Sequence, residues 1–218
     1  MQLPPAKSSV GTRLRYSRTV AANLTADDKA HGLAAAVRTK HNNLKAKQTA
    51  VNDAEDEGID ARAFVNRAAR KIGIELSSLQ LSAAVAVGRD YQAELYRTLF
   101  TMGVPELRKL MAADLLKQAE RMAGELAKQP KDSALWVHGK TLTELNKAMT
   151  PLLASLTKAE QVLKGARTAR DTGITQWEQQ LDSTYGALKQ LFPRQRTFIE
   201  SFFPKPGKRA EKVEPAPV

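Results

Sequence analysis

The sequence predicts an all-α protein, an antiparallel bundle of about five long helices built from two helical hairpins. Aromatic residues make up only 6% of the 218 residues, whereas alanine and leucine are abundant, and such a composition favours packed helices over strands. Apolar residues recur at steps of three and four through most of the chain, which is the period of one helical face. Glycine and proline separate the periodic stretches, as they do at helix ends.

The first two predicted helices form the first hairpin. One begins near Thr25, which with Asp28 resembles a capping box. The other covers about residues 60–102, and an acidic turn ending at Gly58 joins the two. Gly73 and Gly88 are positions where the second helix would break or kink. Its stretch 79–87 is apolar nearly all round, which predicts the most buried part of the protein.

The third predicted helix covers about residues 105–129 and begins at Pro105, a residue suited to a first helical turn. The fourth covers about residues 142–171 and has the strongest periodic signal, three heptads of a coiled-coil seam. A fifth helix follows Gly173 and completes the second hairpin. The seam of the fourth helix consists of Leu142, Leu145, Met149, Leu152, Leu156, Ala159, Leu163 and Ala166.

The two predicted hairpin turns share a short sequence. Residues 54–59 and 169–174 both read Ala-x-Asp-x-Gly-Ile, and each lies where one predicted helix gives way to the next. Glycine is the usual residue in the left-handed conformation that closes a helix. The shared sequence therefore favours a turn at Gly58 and another at Gly173.

One helical domain is predicted over residues 25–203, between two flanking segments that lack a periodic apolar pattern. Residues 1–24 contain four basic residues and no acidic residue, and they are predicted to be a disordered basic arm. Residues 204–218 hold four of the ten prolines, and they are predicted to be a disordered tail rich in proline and lysine. No apolar run approaches the roughly 20 residues that span a bilayer.

The formal net charge is +11, and more than half of it lies on the two flanking segments. Basic flanks attract phosphate groups without reading a sequence, and an aromatic ring between arginines can stack on a base. The candidate contacts with a nucleic acid or an acidic protein are therefore the interleaved residues Arg13, Arg15, Tyr16 and Arg18.

Four of the six phenylalanines lie between residues 192 and 203. An aromatic cluster near the end of a helical chain closes the end of a bundle core, or else it is exposed and docks a partner. The candidate docking patch consists of Phe198, Phe202 and Phe203.

Two segments partly resemble ligand-binding loops. Residues 134–141 end in Gly-Lys-Thr like a phosphate loop, but Trp136, Val137 and His138 stand where wrapping a phosphate requires glycine. Residues 53–60 have acids and a glycine at the positions of a calcium loop, but Phe64 stands where a bidentate glutamate is needed. We therefore expect a loop entering the fourth helix and an acidic turn, with no cofactor or metal at either.

No residue is predicted to be catalytic, to bind a cofactor or to hold a metal. The chain has no cysteine, which excludes disulfides, thiolate metal sites and cysteine nucleophiles. His31, His41 and His138 do not stand at the spacing of a metal-binding motif. No Gly-x-Ser-x-Gly elbow for a serine nucleophile occurs.

These observations predict a non-enzymatic structural or protein-interaction bundle, which self-associates if the seam of the fourth helix pairs across subunits. The alternative is a sequence-independent nucleic-acid-binding protein that uses the basic flanks. The absence of cysteine fits a reducing compartment, and the N-terminus lacks the apolar core of a secretion signal. A cytoplasmic location is therefore expected.

Overall fold

A computed structural model describes residue 1 and residues 3–205, and the described residues form helices and no strand. The predicted all-α bundle is confirmed. None of the helices in the described residues has an apolar segment long enough to cross a membrane. The helices are α1 (Val10–Thr25), α2 (His31–Ala86), α3 (Glu94–Leu99), α4 (Val104–Leu107), α5 (Ala112–Leu126), α6 (Ala134–Leu191) and α7 (Arg196–Ser201).

Helix α1 occupies much of the segment predicted to be a disordered arm, so that prediction was wrong for residues 10–24. The hydroxyl of Ser9 caps the helix and accepts a hydrogen bond from the amide of Thr12 at 3.2 Å. Val20 and Leu24 are completely buried. The helical period was hard to see because Arg13 and Ser17 occupy buried positions where apolar residues are expected. The predicted C-terminal tail lies largely outside the described residues.

Helix α2 begins at His31, later than predicted. Thr25 ends α1, and Asp27 caps the turn that leads into α2. The Asp27 carboxylate accepts hydrogen bonds from the amides of Lys29 at 3.0 Å and Ala30 at 2.9 Å. Asp27 therefore satisfies two amides of the turn that precedes α2.

Helices α2 and α6 run without interruption through Gly58 and Gly173, so the two predicted hairpin turns were wrong. A glycine inside a helix costs about 1 kcal/mol relative to alanine, which packing of the flanking residues readily offsets. At Gly173 an added Cβ would lie 2.8 Å from Cδ of Lys47 on α2. The lysine side chain is flexible and would have to move aside.

Helix α2 ends at Ala86, where Gly88 and Arg89 adopt positive φ angles of 61° and 65°. Glycine takes this left-handed conformation without steric cost, so the predicted break at Gly88 occurs whereas none occurs at Gly73. The region predicted as the rest of the second helix and the whole third helix instead forms α3, α4 and α5.

The contacts divide the chain into two compact units. Unit 1 comprises Met1–Asp53 and the chain from Lys164 onward, and unit 2 comprises Ala54–Leu163. The single domain predicted over 25–203 stays a prediction.

Unit 1 has a core in which α1, α2, α6 and α7 all contribute buried side chains. Trp177 of α6 is the largest of the side chains that are fully buried, and aromatic residues close the core beyond Leu188. The core consists of Tyr16, Val20, Ala21, Leu24, Ala30, Ala34, Val37, Leu44, Trp177, Leu181, Leu188, Phe192, Ile199, Phe202 and Phe203.

Unit 2 has an aliphatic core to which α2 and α6 contribute together with the three shorter helices. Leu79 and Ala83 are fully buried, whereas Leu81 and Val85 are 73% and 74% exposed, so the stretch 79–87 is not uniformly buried as predicted. The core includes Val65, Ile72, Leu76, Leu79, Leu99, Leu107, Leu115, Met122, Leu126, Leu135, Leu142 and Met149.

Candidate functional site

Arg13, predicted to touch an anionic partner, is buried in unit 1 with only 4% of its surface exposed. Its guanidinium donates hydrogen bonds to the carbonyl oxygens of Ala6, at 2.9 Å, and of Ser8. Its Nη2 atom also lies 3.7 Å from Oε1 of Glu178 on α6. Arg13 therefore fixes the chain that precedes α1 instead of facing a partner.

Tyr16, the aromatic member of the predicted contact, is also a core residue. It is 6% exposed and packs edge-to-face on Trp177, with 6.1 Å between ring centroids. Burial raises the pKa of Tyr16 to about 12, because a buried phenolate would lose its hydration. Because its ring is buried against Trp177, Tyr16 cannot stack on a base.

Arg15 and Arg18, the other two predicted contacts, are exposed on α1. The charge of Arg18 acts on His41 of α2. The pKa of His41 is lowered first by burial, then by Arg18 and further by Lys45, while a hydrogen bond to the backbone of Leu14 raises it. Arg18 and Lys45 are both exposed.

A cavity of about 810 Å³ lies along α1 in unit 1, and we call it the α1 cavity. One wall is the segment that Arg13 holds, and another is the chain just after α7. Arg15 lines the cavity whereas Arg18 does not. The lining residues are Pro4, Pro5, Lys7, Ser8, Ser9, Thr12, Arg15, Tyr16, Thr19, Pro204 and Lys205.

The candidate docking patch is mostly part of the unit 1 core. Phe202 and Phe203 are 4% and 5% exposed, whereas Phe198 is 41% exposed. The rings of Phe198 and Phe202 meet edge-to-face with 5.2 Å between centroids, and Phe203 packs on Tyr185 at 5.6 Å. Phe202 and Phe203 therefore close the end of the core. Of the three residues of the candidate docking patch, only Phe198 faces solvent.

Neither of the two loop-like segments forms a loop. Residues 53–60 lie inside α2, and residues 134–141 are the first two turns of α6. A calcium or phosphate loop needs a backbone that wraps around the ligand, which a continuous helix does not provide. Within the described part of the chain, no three His, Asp or Glu side chains come together to hold a metal ion.

His138 is at the centre of a polar network in unit 2 that sequence reasoning missed. Its Nδ1 atom lies 2.6 Å from Oε1 of Glu75, and its Nε2 atom lies 2.9 Å from Oγ of Ser82. The two partners are on α2 and stand 63 and 56 residues away in the sequence. No local motif links positions so far apart, so only the fold could reveal the network.

Serine, histidine and an acid connected in this order are also the groups that activate a serine nucleophile. Acyl transfer further needs hydrogen-bond donors aimed at the oxyanion that develops during the reaction. Ser82 lies inside α2, where the amides beside it donate to carbonyls four residues earlier in the helix. We therefore interpret the network as a polar link between α2 and α6.

An apolar groove in unit 2 lies along the seam that the sequence singled out, and we call it the seam groove. Leu152 on its wall is half-buried, while Phe64 and Val162 are 59% and 45% exposed. The groove has a volume of about 420 Å³ and is lined by Glu57, Asp60, Ala61, Phe64, Leu152, Ser155, Lys158, Ala159 and Val162.

No protein-family model matches the chain, and neither the curated proteins nor the solved structures include a significant match.

Proposed function

We propose that the protein is a non-enzymatic helical-bundle protein that acts through protein–protein contact, and that it pairs with a second copy of itself through the seam groove. The observation that supports this proposal is the exposure of apolar side chains along a coiled-coil seam. Leu142 and Met149 of the seam are buried, but Leu152 and Leu156 are only half-buried, and Phe64 is exposed beside them.

Aromatic side chains at the centre of an interface often contribute more to binding than their neighbours. Phe64 has 59% of its surface exposed, so a partner that covered it would remove a large apolar area from water. An exposed aromatic beside a half-buried leucine seam is the pattern expected of a contact surface.

The charges around the seam groove favour a second copy as the partner. Glu57 and Asp60 lie on the α2 side of the groove and Lys158 lies on the α6 side. In a twofold dimer each surface meets its own copy, so the acidic side of one subunit can face the basic side of the other. The charges that line the groove can thus pair with those of a second copy.

The test is the mass in solution, measured by light scattering during size-exclusion chromatography at up to about 100 µM, a range that detects micromolar dimers. We expect the unaltered chain to be dimeric and Phe64→Glu to be monomeric. The matched control is Leu81→Glu, which alters an apolar residue of α2 that is 73% exposed and does not line the groove. Circular dichroism checks that both variants fold.

A monomeric mass for the unaltered chain at the highest concentration would contradict the proposal. So would dissociation by Leu81→Glu and not by Phe64→Glu, because the contact would then lie elsewhere on unit 2.

The non-enzymatic part of the proposal is tested at Ser82, since this hydroxyl also lines a cavity of about 600 Å³. A fluorophosphonate probe labels serines whose oxygen is activated by histidine. We expect no labelling of the unaltered chain beyond that of Ser82→Ala. Labelling that Ser82→Ala abolishes would show an enzyme and reject this part of the proposal.

A second candidate function is sequence-independent nucleic-acid binding, which the exposed basic side chains of Arg15, Arg18 and Lys45 in unit 1 favour. Each cation that contacts a phosphate changes the slope of log affinity against log salt by about 0.9 for duplex DNA. We expect Arg18→Gln to lower this slope by about that amount. Absence of binding to DNA and RNA at low salt would reject this candidate.

We infer a cytoplasmic location from the absence of cysteine in the chain, which suits a compartment that keeps thiols reduced. Fractionation of the source cells, followed by detection with a specific antibody, tests this inference. Recovery in a secreted or membrane fraction would contradict it.

A further inference from the structure

The α1 cavity in unit 1 has the size and walls of a small-molecule site. Its volume of about 810 Å³ lies within the range of roughly 300–1,000 Å³ that such sites occupy. Three proline rings, those of Pro4, Pro5 and Pro204, supply apolar wall. The remaining lining residues are polar or basic, which limits the kinds of ligand that fit the cavity.

The charged residues that line the cavity are all basic. Lys7, Arg15 and Lys205 contribute three positive charges, and no acidic residue is among the lining residues. The pKa of Glu200 is lowered first by the hydrogen bond that its carboxylate accepts from Nε of Arg196 at 2.9 Å, and Lys205 lowers it less. Arg196 is therefore the main partner of Glu200. The cavity therefore attracts an anion, and two or three cations match the charge of a phosphate ester.

Hydroxyl groups stand beside these cations at the start of α1. The hydroxyls of Ser9 and Thr12 lie 3.0 Å apart, and Ser8 and Thr19 also line the cavity. Hydroxyls can donate hydrogen bonds to phosphate oxygens that the cations leave unpaired. Tyr16 adds no negative charge to the wall, since a tyrosine hydroxyl is uncharged at neutral pH.

Arg13 holds the wall of the cavity in place before any ligand arrives. Its guanidinium bonds the carbonyl oxygens of Ala6 and Ser8, which are part of the segment that carries Lys7. A fixed wall lowers the conformational entropy that binding would otherwise cost. This is the structural use of the arginine that the sequence suggested as a surface contact.

We propose that the α1 cavity binds a small molecule that carries a phosphate group, with Arg15, Lys7 and Lys205 bound to the phosphate oxygens. Arg15 can contact two oxygens at once through its planar fork, and the hydroxyls of Ser9 and Thr12 complete the contacts. The prolines pack against the rest of the ligand. This site lies in unit 1 and does not depend on the proposed pairing through unit 2.

The test is calorimetric titration of the full chain with inorganic pyrophosphate and with ADP at about 50 mM salt, where surface charges are only partly screened. We expect both probes to bind. Arg15→Gln should weaken binding about tenfold or more, the loss expected for one charge-assisted hydrogen-bond pair. Arg18→Gln is the matched control, an exposed arginine of the same helix that does not line the cavity, and it should change affinity less than about twofold.

A second variant, Lys7→Gln with Lys205→Gln, should weaken both probes as well, and circular dichroism checks the fold of each variant. Tighter binding of ADP than of pyrophosphate would show that contacts with the apolar wall add to the affinity for a nucleotide. Equal affinity for the two probes would show that the phosphate groups alone are recognised. Either result supports the proposal.

Three results would overturn it. The first is that neither probe binds at about 10 mM, a concentration that detects dissociation constants of about 1 mM. The second is that Arg18→Gln weakens binding as much as Arg15→Gln, which would mean that the probes are attracted to the basic surface in general. The third is that an oligonucleotide binds whereas pyrophosphate and ADP do not, which would mean that the basic residues bind a nucleic acid.

Discussion

His138 is held by partners on both of its ring nitrogens. Glu75 and His138 each retain 18% side-chain exposure, so water only partly replaces either partner when the other is removed. A polar group that loses its partner in a part-buried position pays a desolvation penalty. The network therefore contributes to the packing of α2 against α6 within unit 2.

We predict that His138→Ala destabilises unit 2 by about 1–3 kcal/mol, because the Glu75 carboxylate and the Ser82 hydroxyl lose a hydrogen-bond partner. The urea midpoint measures this change. The control is Lys140→Ala, an exposed position two residues later on the same helix, which should change the midpoint little. Equal midpoints for the two variants would mean that the network adds no stability.

The lowered pKa of His41 predicts that the stability of unit 1 depends on pH. This pKa is lowered from 6.5, first by burial and further by Arg18 and Lys45, while a hydrogen bond to the backbone of Leu14 opposes the shift. The folded state therefore binds this proton less readily than the unfolded state. The stabilising contribution is present above pH 6.5 and is lost as the pH falls through the lowered pKa of the folded state.

We predict that the melting temperature drops between about pH 7.5 and pH 5, and that the drop is smaller in His41→Gln. His41 also bonds Ser17 through Nδ1 at 2.9 Å, and glutamine can keep a hydrogen bond there without taking up a proton. The control is His31→Gln, an exposed histidine at the start of the same helix. An equal drop in His41→Gln and the unaltered chain would assign the pH dependence to other groups.

The glycines of α6 have different surroundings. Comparing them separates the effect of packing on stability from the effect of helix propensity. At Gly139 an added Cβ would lie 2.7 Å from Cβ of Leu126 and 3.4 Å from its carbonyl carbon. These atoms belong to the end of α5 and cannot turn away as the end of a long side chain can. At Gly165 an added Cβ meets nothing within 4 Å.

We predict that Gly139→Ala lowers the stability of the protein, although alanine is the better helix former, because α5 would have to shift. Gly165→Ala should raise stability by about 0.5–1 kcal/mol through the same propensity gain without a clash. Thermal unfolding followed by circular dichroism measures both. A gain for both variants would mean that α5 moves at little cost.

Two other glycines, Gly88 and Gly173, explain why the helix ends were hard to predict. Periodicity predicts which residues share a helical face, and it correctly places Leu142, Met149 and Ala159 toward a core. It cannot tell whether a glycine ends a helix or lets another helix approach, since that depends on residues far away in the sequence. Gly88 ends α2 with a positive φ angle, whereas Gly173 lies against Lys47 in mid-helix.

The candidate site was predictable only in its charge. The interleaved arginines of the N-terminal segment are visible in the sequence, but which of them face solvent depends on the packing of α1. Arg13 faces Ala6 and Ser8 because α1 buries that side of the helix, and Arg15 faces the cavity. Lys205, almost two hundred residues away in the chain, joins the same cavity only in the folded structure.

In the chain as a whole, the first helix belongs to the same unit as the last part of α6 and α7. The side-chain amide of Asn23 donates to the carbonyl oxygen of Phe202 at 3.1 Å, which connects α1 with the end of α7. Tyr16 covers Trp177, and Val20 and Leu24 are completely buried. The N-terminal residues are therefore needed for the core of unit 1, in contrast to the disordered arm that the sequence predicted.

We predict that Leu24→Ala destabilises unit 1 by about 2–5 kcal/mol, the cost of removing a fully buried leucine side chain. Deletion of residues 1–25 should go further and expose Trp177 to water. Hydrogen exchange should then rise in residues 31–53 and 164–203, while residues 54–163 keep more of their protection, because the core of unit 2 contains no residue of α1. Arg18→Ala, at an exposed position of α1, controls for the substitution itself. If the deletion left the exchange of unit 1 unchanged, α1 would be dispensable for this core, and residues 1–24 would act as the independent basic arm after all.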